Sequence, residues 1–423
     1  MTDFRRGTAT AGELCVEADP AEVGFDPERL RRVDRHLARH VDDGLLPGWL
    51  VTVSRRGRLA HVSTYGSRDI EAGRPVEPDT LWRLYSMTKP ITSVAAMMLY
   101  EEGAFALTDP VSTFIPSFAD TRVYVGGPAA QPVTVPPTEP VRLWHLLTHT
   151  AGLTYGWQGV HPVDALYRTA GFDPDWPPGM TLEGACDAWA GFPLQFQPGA
   201  AWNYSVSTDV LGRVVEVASG QRLDEFFATR IFGPLGMRDA GFYASENQRS
   251  RLAALYGLSP DGQVGRLDML GDAALSPPTM LSGGGGLICT AYDYNRFIQM
   301  LLDLPDSPAG ELEGTRLLSP RTVRYMGRNH LPGGVDLAMH SSAGFTEPSF
   351  SGTGFGLGFA VVLDPVARKI IGSPGELSWG GAANTAFWID QAEELTVTLF
   401  TQLFPTLLPL RSQVWQLVYQ ALT

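Results

Sequence analysis

Runs of β-forming residues stand near both ends of the chain, and a long stretch of mostly helical patterns lies between them. Near the start, two such runs, residues 49–54 and 59–65, flank Arg56-Gly57, a short turn signal that predicts a β-hairpin. Near the end, the β-rich runs are residues 356–363, 369–372, 386–389 and 395–401. We expect the two sets to pair into one antiparallel sheet, with the intervening residues forming an insertion.

Helices are predicted next to both sets of strands. Residues 26–41 have apolar side chains at helical spacing, with Asp26 in the N-cap position and Pro27 at the first helical position. A second helix is predicted over residues 410–422. These two terminal helices would cover the sheet.

The predicted fold class is α+β, with an antiparallel sheet flanked by helices and a mostly helical lobe. Residues 1–85 and 327–423 form the sheet lobe in this prediction, and residues 86–326 form the helical lobe. The 32 Pro and 46 Gly residues are spread over many loops, which disfavours two independently tethered domains. We therefore expect an active site in the cleft where the lobes meet.

Charge and composition narrow the class of function. Hydrophobic residues make up 44% of the chain and charged residues 18%, which is typical of a folded globular protein. The net charge is −13 and the Lys/Arg groupings are short, so we expect neither nucleic acid nor a membrane as partner. A small-molecule substrate fits this composition better.

The sequence has no pattern typical of secretion, membrane insertion or metal binding. The N-terminal residues 1–20 contain charged side chains and no apolar core, and the apolar residues 91–100 are too few to cross a bilayer. We therefore expect a cytoplasmic protein. Cys15, Cys186 and Cys289 are widely spaced and outside any ligand pattern, which predicts reduced thiols and no metal site.

The segment Ser86-Met87-Thr88-Lys89 carries residue types suited to nucleophilic catalysis. It begins a helix with an apolar stripe, which predicts a half-buried helix. Because Pro90 has no N–H, the helix starts within about one turn before it, and free backbone N–H groups near Ser86 can bind an oxyanion. The spacing of three puts Lys89 on the same face, where a lysine in a dry cleft can take the serine proton. Alone, the tetrapeptide is a weak signal, since a solvated Ser and Lys at a helix start give the same pattern.

Further motifs make the pattern specific. Tyr204-Ser205-Val206 follows a turn rich in Pro and Gly, and Trp379-Gly380-Gly381 stands next to Ala382. Three more segments accompany them: residues 145–153 (HLLTHTAGL), 232–237 (FGPLGM) and 282–287 (SGGGGL). With these motifs the chain resembles the serine β-lactamase and penicillin-binding protein superfamily, and within it the family VIII carboxylesterases, which are similar to class C β-lactamases.

This resemblance implies a β-lactamase/transpeptidase-like fold and a serine carboxylesterase that hydrolyses short- to medium-chain esters through an acyl-enzyme, without cofactor or metal. It implies that Ser86 is the nucleophile and that Lys89 and Tyr204 share the acid/base work. The backbone N–H groups of Ser86 and Ala382 would form the oxyanion hole. Water or an alcohol would then take the acyl group. Which of Lys89 and Tyr204 receives the first proton stays open.

The resemblance also implies a substrate pocket and a supporting carboxylate, Asp209. The pocket residues are Tyr155, Val206, Trp379, Gly380 and Gly381. Val206 stands where β-lactamases have an Asn that contacts the substrate, and Trp379 stands where they have a Lys that pairs with the substrate carboxylate. Because an anionic carboxylate is costly to bury against an indole, we expect a pocket that favours uncharged esters.

Two alternative functions stay open at this point. A β-lactamase or D-Ala-D-Ala carboxypeptidase would use the same catalytic residues, and a non-catalytic relative would bind cell-wall peptides or a partner protein. The complete set Ser86, Lys89 and Tyr204 favours an enzyme. No GxSxG segment occurs, so an α/β-hydrolase nucleophile has no candidate. His145 and His149 have no third ligand near them in sequence, and we expect packing and hydrogen-bonding roles for both.

Overall fold

A computed structural model of the chain describes residues 13–173, 176–259, 262–342, 345, 350–405 and 408–423. Its strands are β1 (Gly48–Arg55), β2 (Arg58–Asp69), β3 (Arg74–Pro75), β4 (Leu81–Arg83), β5 (Val123–Gly126), β6 (Val133–Val135), β7 (Tyr256–Leu258), β8 (Val264–Arg266), β9 (Ile288–Thr290), β10 (Glu311–Leu312), β11 (Thr315–Arg316), β12 (Thr353–Phe355), β13 (Ala360–Val362), β14 (Leu377–Gly380), β15 (Ala386–Asp390) and β16 (Leu395–Phe400).

The α-helices of the same residues connect and cover these strands. They are α1 (Pro27–Leu30), α2 (Arg32–Asp42), α3 (Thr88–Glu101), α4 (Leu143–Leu147), α5 (Pro162–Thr169), α6 (Leu182–Ala190), α7 (Ser207–Ser219), α8 (Leu223–Phe227), α9 (Gly233–Leu235), α10 (Asp268–Asp272), α11 (Ala291–Leu301), α12 (Pro320–Met326), α13 (Leu337–His340), α14 (Pro365–Arg368) and α15 (Leu410–Tyr419). In the described part of the chain, no helix combines the length and the apolar character that a membrane crossing requires.

The largest sheet joins the two ends of the chain. Its strand order is β12-β13-β14-β15-β16-β1-β2-β3, and the neighbouring strands run antiparallel. The join is the β1–β16 pair, in which Val51 lies opposite Leu399. The predicted pairing of the early and late strands is therefore confirmed. Arg56 and Gly57, with φ of 53° and 70°, make the β1–β2 turn in the left-handed conformation that such tight hairpins need.

The central strands are buried on both faces. On one face, Trp49, Val51 and Val53 of β1 belong to a hydrophobic cluster that also contains side chains of α1, α2 and α15. Trp388 of β15 stacks on Trp415 of α15 in this cluster, with 4.3 Å between ring centroids. On the other face, α11 packs against β1 and β16. The terminal helices thus cover the sheet as predicted, and the rest of the core lies on its opposite side.

The helix predicted over residues 26–41 lies where expected, but it consists of two helices rather than one. Asp26 caps the N-terminus of α1, since its Oδ1 accepts the N–H groups of Glu28 and Arg29. Arg31 then separates α1 from α2. The apolar spacing alone gave no signal for this break.

The strand prediction for residues 369–372 is wrong. Asp364 caps a short helix, α14, which begins with Pro365 and ends where Lys369 takes the left-handed conformation, with φ of 60°. An Asp-Pro pair is a helix start signal, and it decides the local structure here. The predicted run 356–363 is a strand only over β13, because its first residues form the connection from β12.

Helix α3 is buried almost throughout, so the prediction of a half-buried helix is wrong. All of its residues from Thr88 to Leu99 are buried, and α7 packs against it. The helix carries small and apolar residues on all sides, which a central helix requires. Its N-terminal turn therefore holds polar side chains in surroundings that exclude water.

A buried polar cluster ties α15 to the sheet. The Tyr419 hydroxyl lies 2.5 Å from Glu376 Oε2 and 2.5 Å from Asp390 Oδ2. Trp415 Nε1 donates to Glu376, and Arg368 forms an ion pair with Glu376 at 2.8 Å. Burial raises the pKa of Glu376. Because one hydroxyl has one hydrogen, a second proton must sit on one of the two carboxyl groups for both short contacts to be hydrogen bonds.

We expect Tyr419→Phe to lower the free energy of unfolding by about 1–3 kcal/mol, because it leaves buried acceptors without their donor. The measurement is urea unfolding followed by tryptophan fluorescence. Tyr65→Phe is the matched control, since the Tyr65 hydroxyl bonds Asp42 in exposed surroundings. Equal midpoints for the two variants would contradict a structural role for the Tyr419 hydroxyl.

Candidate active site

A short 3₁₀ turn, Tyr85–Met87, leads directly into α3 and carries Ser86. Tyr85 has φ of 47°, a left-handed conformation that is strained for a residue with a Cβ atom. The turn places Ser86 at the N-terminal end of α3, as the position of Pro90 predicts. Ser86 is half-buried, whereas the residues that follow it in α3 are buried.

Lys89 is only 1% exposed, and its amine has three hydrogen-bond partners. Nζ lies 3.2 Å from Ser86 Oγ, 3.1 Å from Tyr155 Oη and 2.8 Å from the Gly284 carbonyl oxygen. An uncharged amine can donate to Gly284 and Tyr155 and direct its lone pair at the Ser86 hydroxyl. This arrangement can therefore withdraw the serine proton.

Tyr204 lies on the other side of the same amine. Its ring centroid is 4.5 Å from Lys89 Nζ, which is a cation–π distance when the amine is charged. Its hydroxyl accepts a hydrogen bond from Trp379 Nε1 at 3.3 Å. In the described residues this indole, rather than Ser86, is the hydrogen-bond partner of the Tyr204 hydroxyl. The structure thus joins the amine to Ser86 directly and joins Tyr204 to the amine through its ring.

Tyr155 holds the lysine rather than only lining a pocket. Its hydroxyl accepts from Lys89 Nζ, and its ring lies against that of Tyr204, with centroids 5.4 Å apart. Burial, with the charge of Asp209 as a further cause, raises the pKa of Tyr155 well above its usual value. Tyr155 therefore stays protonated and is unsuited to act as a base.

Asp209 acts on Lys89 through the backbone of Gly284. Asp209 is buried in the first turn of α7, and its Oδ1 accepts from Ser282 Oγ at 2.5 Å and from the Gly284 N–H at 3.0 Å. The carbonyl of the same Gly284 accepts from Lys89. Burial raises the pKa of Asp209, while the charge of Lys89 lowers it. A Cβ atom at Gly284 would overlap Asp209 Oδ2, so only glycine allows this approach.

The end of β14 lies against the segment that precedes Ser86. A Cβ atom at Gly381 would overlap the Leu84 carbonyl oxygen, to which the Thr385 hydroxyl donates at 3.3 Å. Within the described residues, the backbone N–H groups of Ser86 and Ala382 donate no hydrogen bond to the protein. Two free N–H groups next to a nucleophile are what an oxyanion hole requires, and this role stays a prediction for both.

Aromatic rings surround the side chains of Tyr155 and Tyr204. Trp379 and Phe345 each lie against Tyr204, with centroids 5.4 Å and 5.0 Å apart, and Trp157 stacks on Tyr155. Trp157 is 49% exposed, which places it at the solvent side of this wall. Val206, by contrast, is 1% exposed and belongs to the large core cluster, so its contact with substrate stays a prediction.

His145 and His149 contact different neighbours. His145 Nδ1 accepts the N–H of Arg142, and burial lowers the pKa of His145 to about 4. His149 Nδ1 lies 3.1 Å from Ser205 Oγ, and its ring is 5.0 Å from that of Tyr204. Burial lowers the pKa of His149 well below its usual value. Both rings are therefore neutral at pH 7, and His149 is a packing support for Tyr204.

Comparisons with known proteins give relatives along most of the chain. The family model described as Beta-lactamase matches residues 33–419. Protein Rv1367c of Mycobacterium tuberculosis is 38% identical over 371 residues, which cover 86% of this chain and 88% of that protein. Esterase EstB of Burkholderia gladioli is 32% identical over 402 residues, which cover 90% of this chain and 93% of that protein.

Solved structures give the same result. EstCE1, described as a hydrolase with promiscuous acyltransferase activity, superposes with a TM-score of 0.76 at 26% identity, covering 93% of this chain and 99% of that chain. Simvastatin synthase from Aspergillus terreus has a TM-score of 0.78 at 24% identity over 93% of this chain and 98% of that chain, which shows a shared fold.

We expect Gly284→Ala to slow the reaction of Ser86 with a fluorophosphonate probe by about 100-fold, because a misplacement of about 1 Å at a catalytic group has this effect. Intact-mass spectrometry measures the labelling rate. The matched control is Gly285→Ala, since a Cβ atom there would come no closer than 3.8 Å to any atom. Equal labelling rates for the two variants would show that the Gly284 carbonyl does not position Lys89.

Proposed function

The chain belongs to the beta-lactamase family, which confirms the predicted family and fold, and on this basis we propose that it is a serine carboxylesterase that acts through an acyl-enzyme on Ser86. One contact carries this assignment: the buried Lys89 amine lies 3.2 Å from the Ser86 hydroxyl. The similarity to Esterase EstB, at 32% identity, supports an ester as the substrate.

Acylation begins when Ser86 Oγ attacks the carbonyl carbon of the ester. The new Oγ–C bond forms, the carbonyl electron pair moves to oxygen, and the hydroxyl proton passes to Lys89, its direct hydrogen-bond partner. The N–H groups of Ser86 and Ala382 stabilise the negative oxygen. When the carbonyl re-forms, the C–O bond to the alcohol breaks and the alkoxide takes a proton.

Tyr204 shares this proton transfer with Lys89. Trp379 Nε1 donates to the Tyr204 oxygen, and a charged Lys89 would lie over its ring. We assign to Tyr204 the role of giving a proton to the leaving alkoxide and recovering it in the next step. Tyr155 keeps its proton and holds the amine in place.

Deacylation repeats these steps with a second nucleophile. Water attacks the acyl carbon and gives a proton to Tyr204. The Ser86 Oγ–C bond then breaks, Oγ takes back its proton from Lys89, and the acid leaves. An alcohol that attacks in the same way gives a new ester. The similarity to EstCE1, a hydrolase with promiscuous acyltransferase activity, supports the second outcome as a side reaction.

The pocket selects uncharged esters with apolar groups. Trp379 presents an indole at the strand position where β-lactamases have a lysine, and Tyr204, Phe345 and Trp157 continue the aromatic wall. A carboxylate against this wall would lose its hydration without gaining a cation. A β-lactamase or D-Ala-D-Ala carboxypeptidase would use the same Ser86 and Lys89 but would need that cation. We place the substrate cleft between residues 86–326 and the two sheet-forming segments.

We expect the protein to hydrolyse p-nitrophenyl butyrate and to turn over a chromogenic cephalosporin about 10- to 100-fold more slowly, because a hydrogen bond to a charged group is worth roughly 1.5–3 kcal/mol. Initial rates by absorbance measure both. Ser86→Ala should abolish the ester activity. Ser93→Ala, which removes a hydroxyl two turns further along the buried α3, is the control and should retain it. Similar rates on the two substrates would favour the β-lactamase alternative.

We also expect substitution of Tyr204 to lower kcat much more than substitution of Tyr155. Tyr204→Phe should lower kcat by about 10²–10⁴, the usual contribution of an acid/base group. Tyr155→Phe should lower kcat only about fivefold, because one hydrogen bond worth about 1 kcal/mol is lost. Since the pKa of Tyr155 is raised, the alkaline side of the pH–kcat profile should be the same in Tyr155→Phe and the wild type. The reverse ranking would move the acid/base role to Tyr155.

A further inference from the structure

Arg411, in the first turn of α15, contacts the backbone next to the proposed oxyanion hole. Its Nη2 donates to the Gly381 carbonyl oxygen at 2.6 Å. That carbonyl also accepts the N–H of Asn384, at 3.1 Å, across the turn that follows β14. Arg411 thus joins a terminal helix to the strand end that carries Ala382.

The contacted carbonyl and the Ala382 N–H belong to the same peptide group. A trans peptide group is planar, and its C=O and N–H bonds point in opposite directions. A hydrogen bond that fixes the direction of the Gly381 carbonyl therefore fixes the direction of the Ala382 N–H. Because the donor is charged, the bond also draws electrons towards the carbonyl oxygen and makes the N–H a stronger donor.

The glycine at position 380 makes room for this contact. A Cβ atom at Gly380 would overlap the Arg411 guanidinium carbon and both of its terminal nitrogens. Gly381 makes room for a different group, since a Cβ atom there would overlap the Leu84 carbonyl oxygen. The two glycines after Trp379 thus allow two separate contacts, one on the arginine side and one on the Ser86 side.

Arg411 does not stabilise the helix that carries it. A positive charge in the first turn of a helix is unfavourable, because the free N–H groups there already give this end a partial positive charge. No acidic residue occupies the first turn of α15. The contact with Gly381 is one interaction that this arginine makes at an otherwise unfavourable position.

We propose that Arg411 is a positioning residue for the oxyanion hole, which holds and polarises the Gly381–Ala382 peptide group so that its N–H stabilises the negative oxygen. This role rests on the proposed function of Ser86 and Ala382. It predicts an effect on the transition state and little effect on binding of the ester.

The test compares Arg411→Met, Arg411→Lys and Arg411→Ala with the wild type. For p-nitrophenyl butyrate, Arg411→Met should lower kcat by about 10- to 100-fold, part of the effect of losing an oxyanion donor, with little change in KM. The inhibition constant of phenylboronic acid, whose adduct places an oxygen in the hole, should rise by a similar factor. Arg411→Lys keeps the charge but loses the planar guanidinium group, so its kcat should lie between those of Arg411→Met and the wild type. Millimolar guanidinium should restore part of the activity of Arg411→Ala without affecting the wild type.

The controls separate this proposal from the proposed function. Arg35→Met removes an exposed arginine of α2, which pairs with Glu28, and should behave as the wild type. Unchanged kcat and boronate affinity in Arg411→Met would overturn the role of Arg411, and so would a loss of kcat with unchanged boronate affinity. A wild type without ester hydrolysis would overturn the proposed function alone, because fluorophosphonate labelling of Ser86 would still measure the effect of Arg411. A wild type inert to both probes would overturn both.

Discussion

The site depends on one buried amine that is held from three sides. Lys89 reaches Ser86, Tyr155 and the Gly284 carbonyl at hydrogen-bond distance, and it is almost fully shielded from water. A flexible side chain of four methylene groups keeps a fixed position only when its end has several partners. The surrounding structure provides those partners from different parts of the chain, so the reactivity of Ser86 depends on the whole fold.

The core explains how these partners meet. Helix α3 is buried along its length and packs against α7, whose first turn carries Asp209. Asp209 holds the backbone of Gly284, which in turn holds Lys89. The end of β14 approaches from the sheet and meets the residues before Ser86. Helix packing therefore positions the side of the site predicted to transfer protons, and sheet pairing positions the side predicted to bind the oxyanion.

Local patterns were enough to predict the sheet, the terminal helices, the start of α3 and the family. They failed at residues 369–372, which follow the short capped helix α14 and begin with Lys369 in the left-handed conformation. They also gave no sign that Tyr155 contacts Lys89 or that Arg411 contacts Gly381, since these pairs are 66 and 30 residues apart. Such contacts follow from the path of the chain in space. The glycines after Ser282 and Trp379 were the one visible signal of close backbone approach.

The hydrogen bond from Trp379 to Tyr204 links two properties that are usually discussed apart. The indole forms part of the aromatic wall that we propose favours neutral ligands, and the same indole nitrogen donates a hydrogen bond to the Tyr204 oxygen. Exchanging this ring for a cation would therefore alter proton handling together with ligand choice. On the proposed mechanism, a transition between ester and lactam chemistry in this scaffold requires coordinated replacements, because one side chain affects both selectivity and turnover.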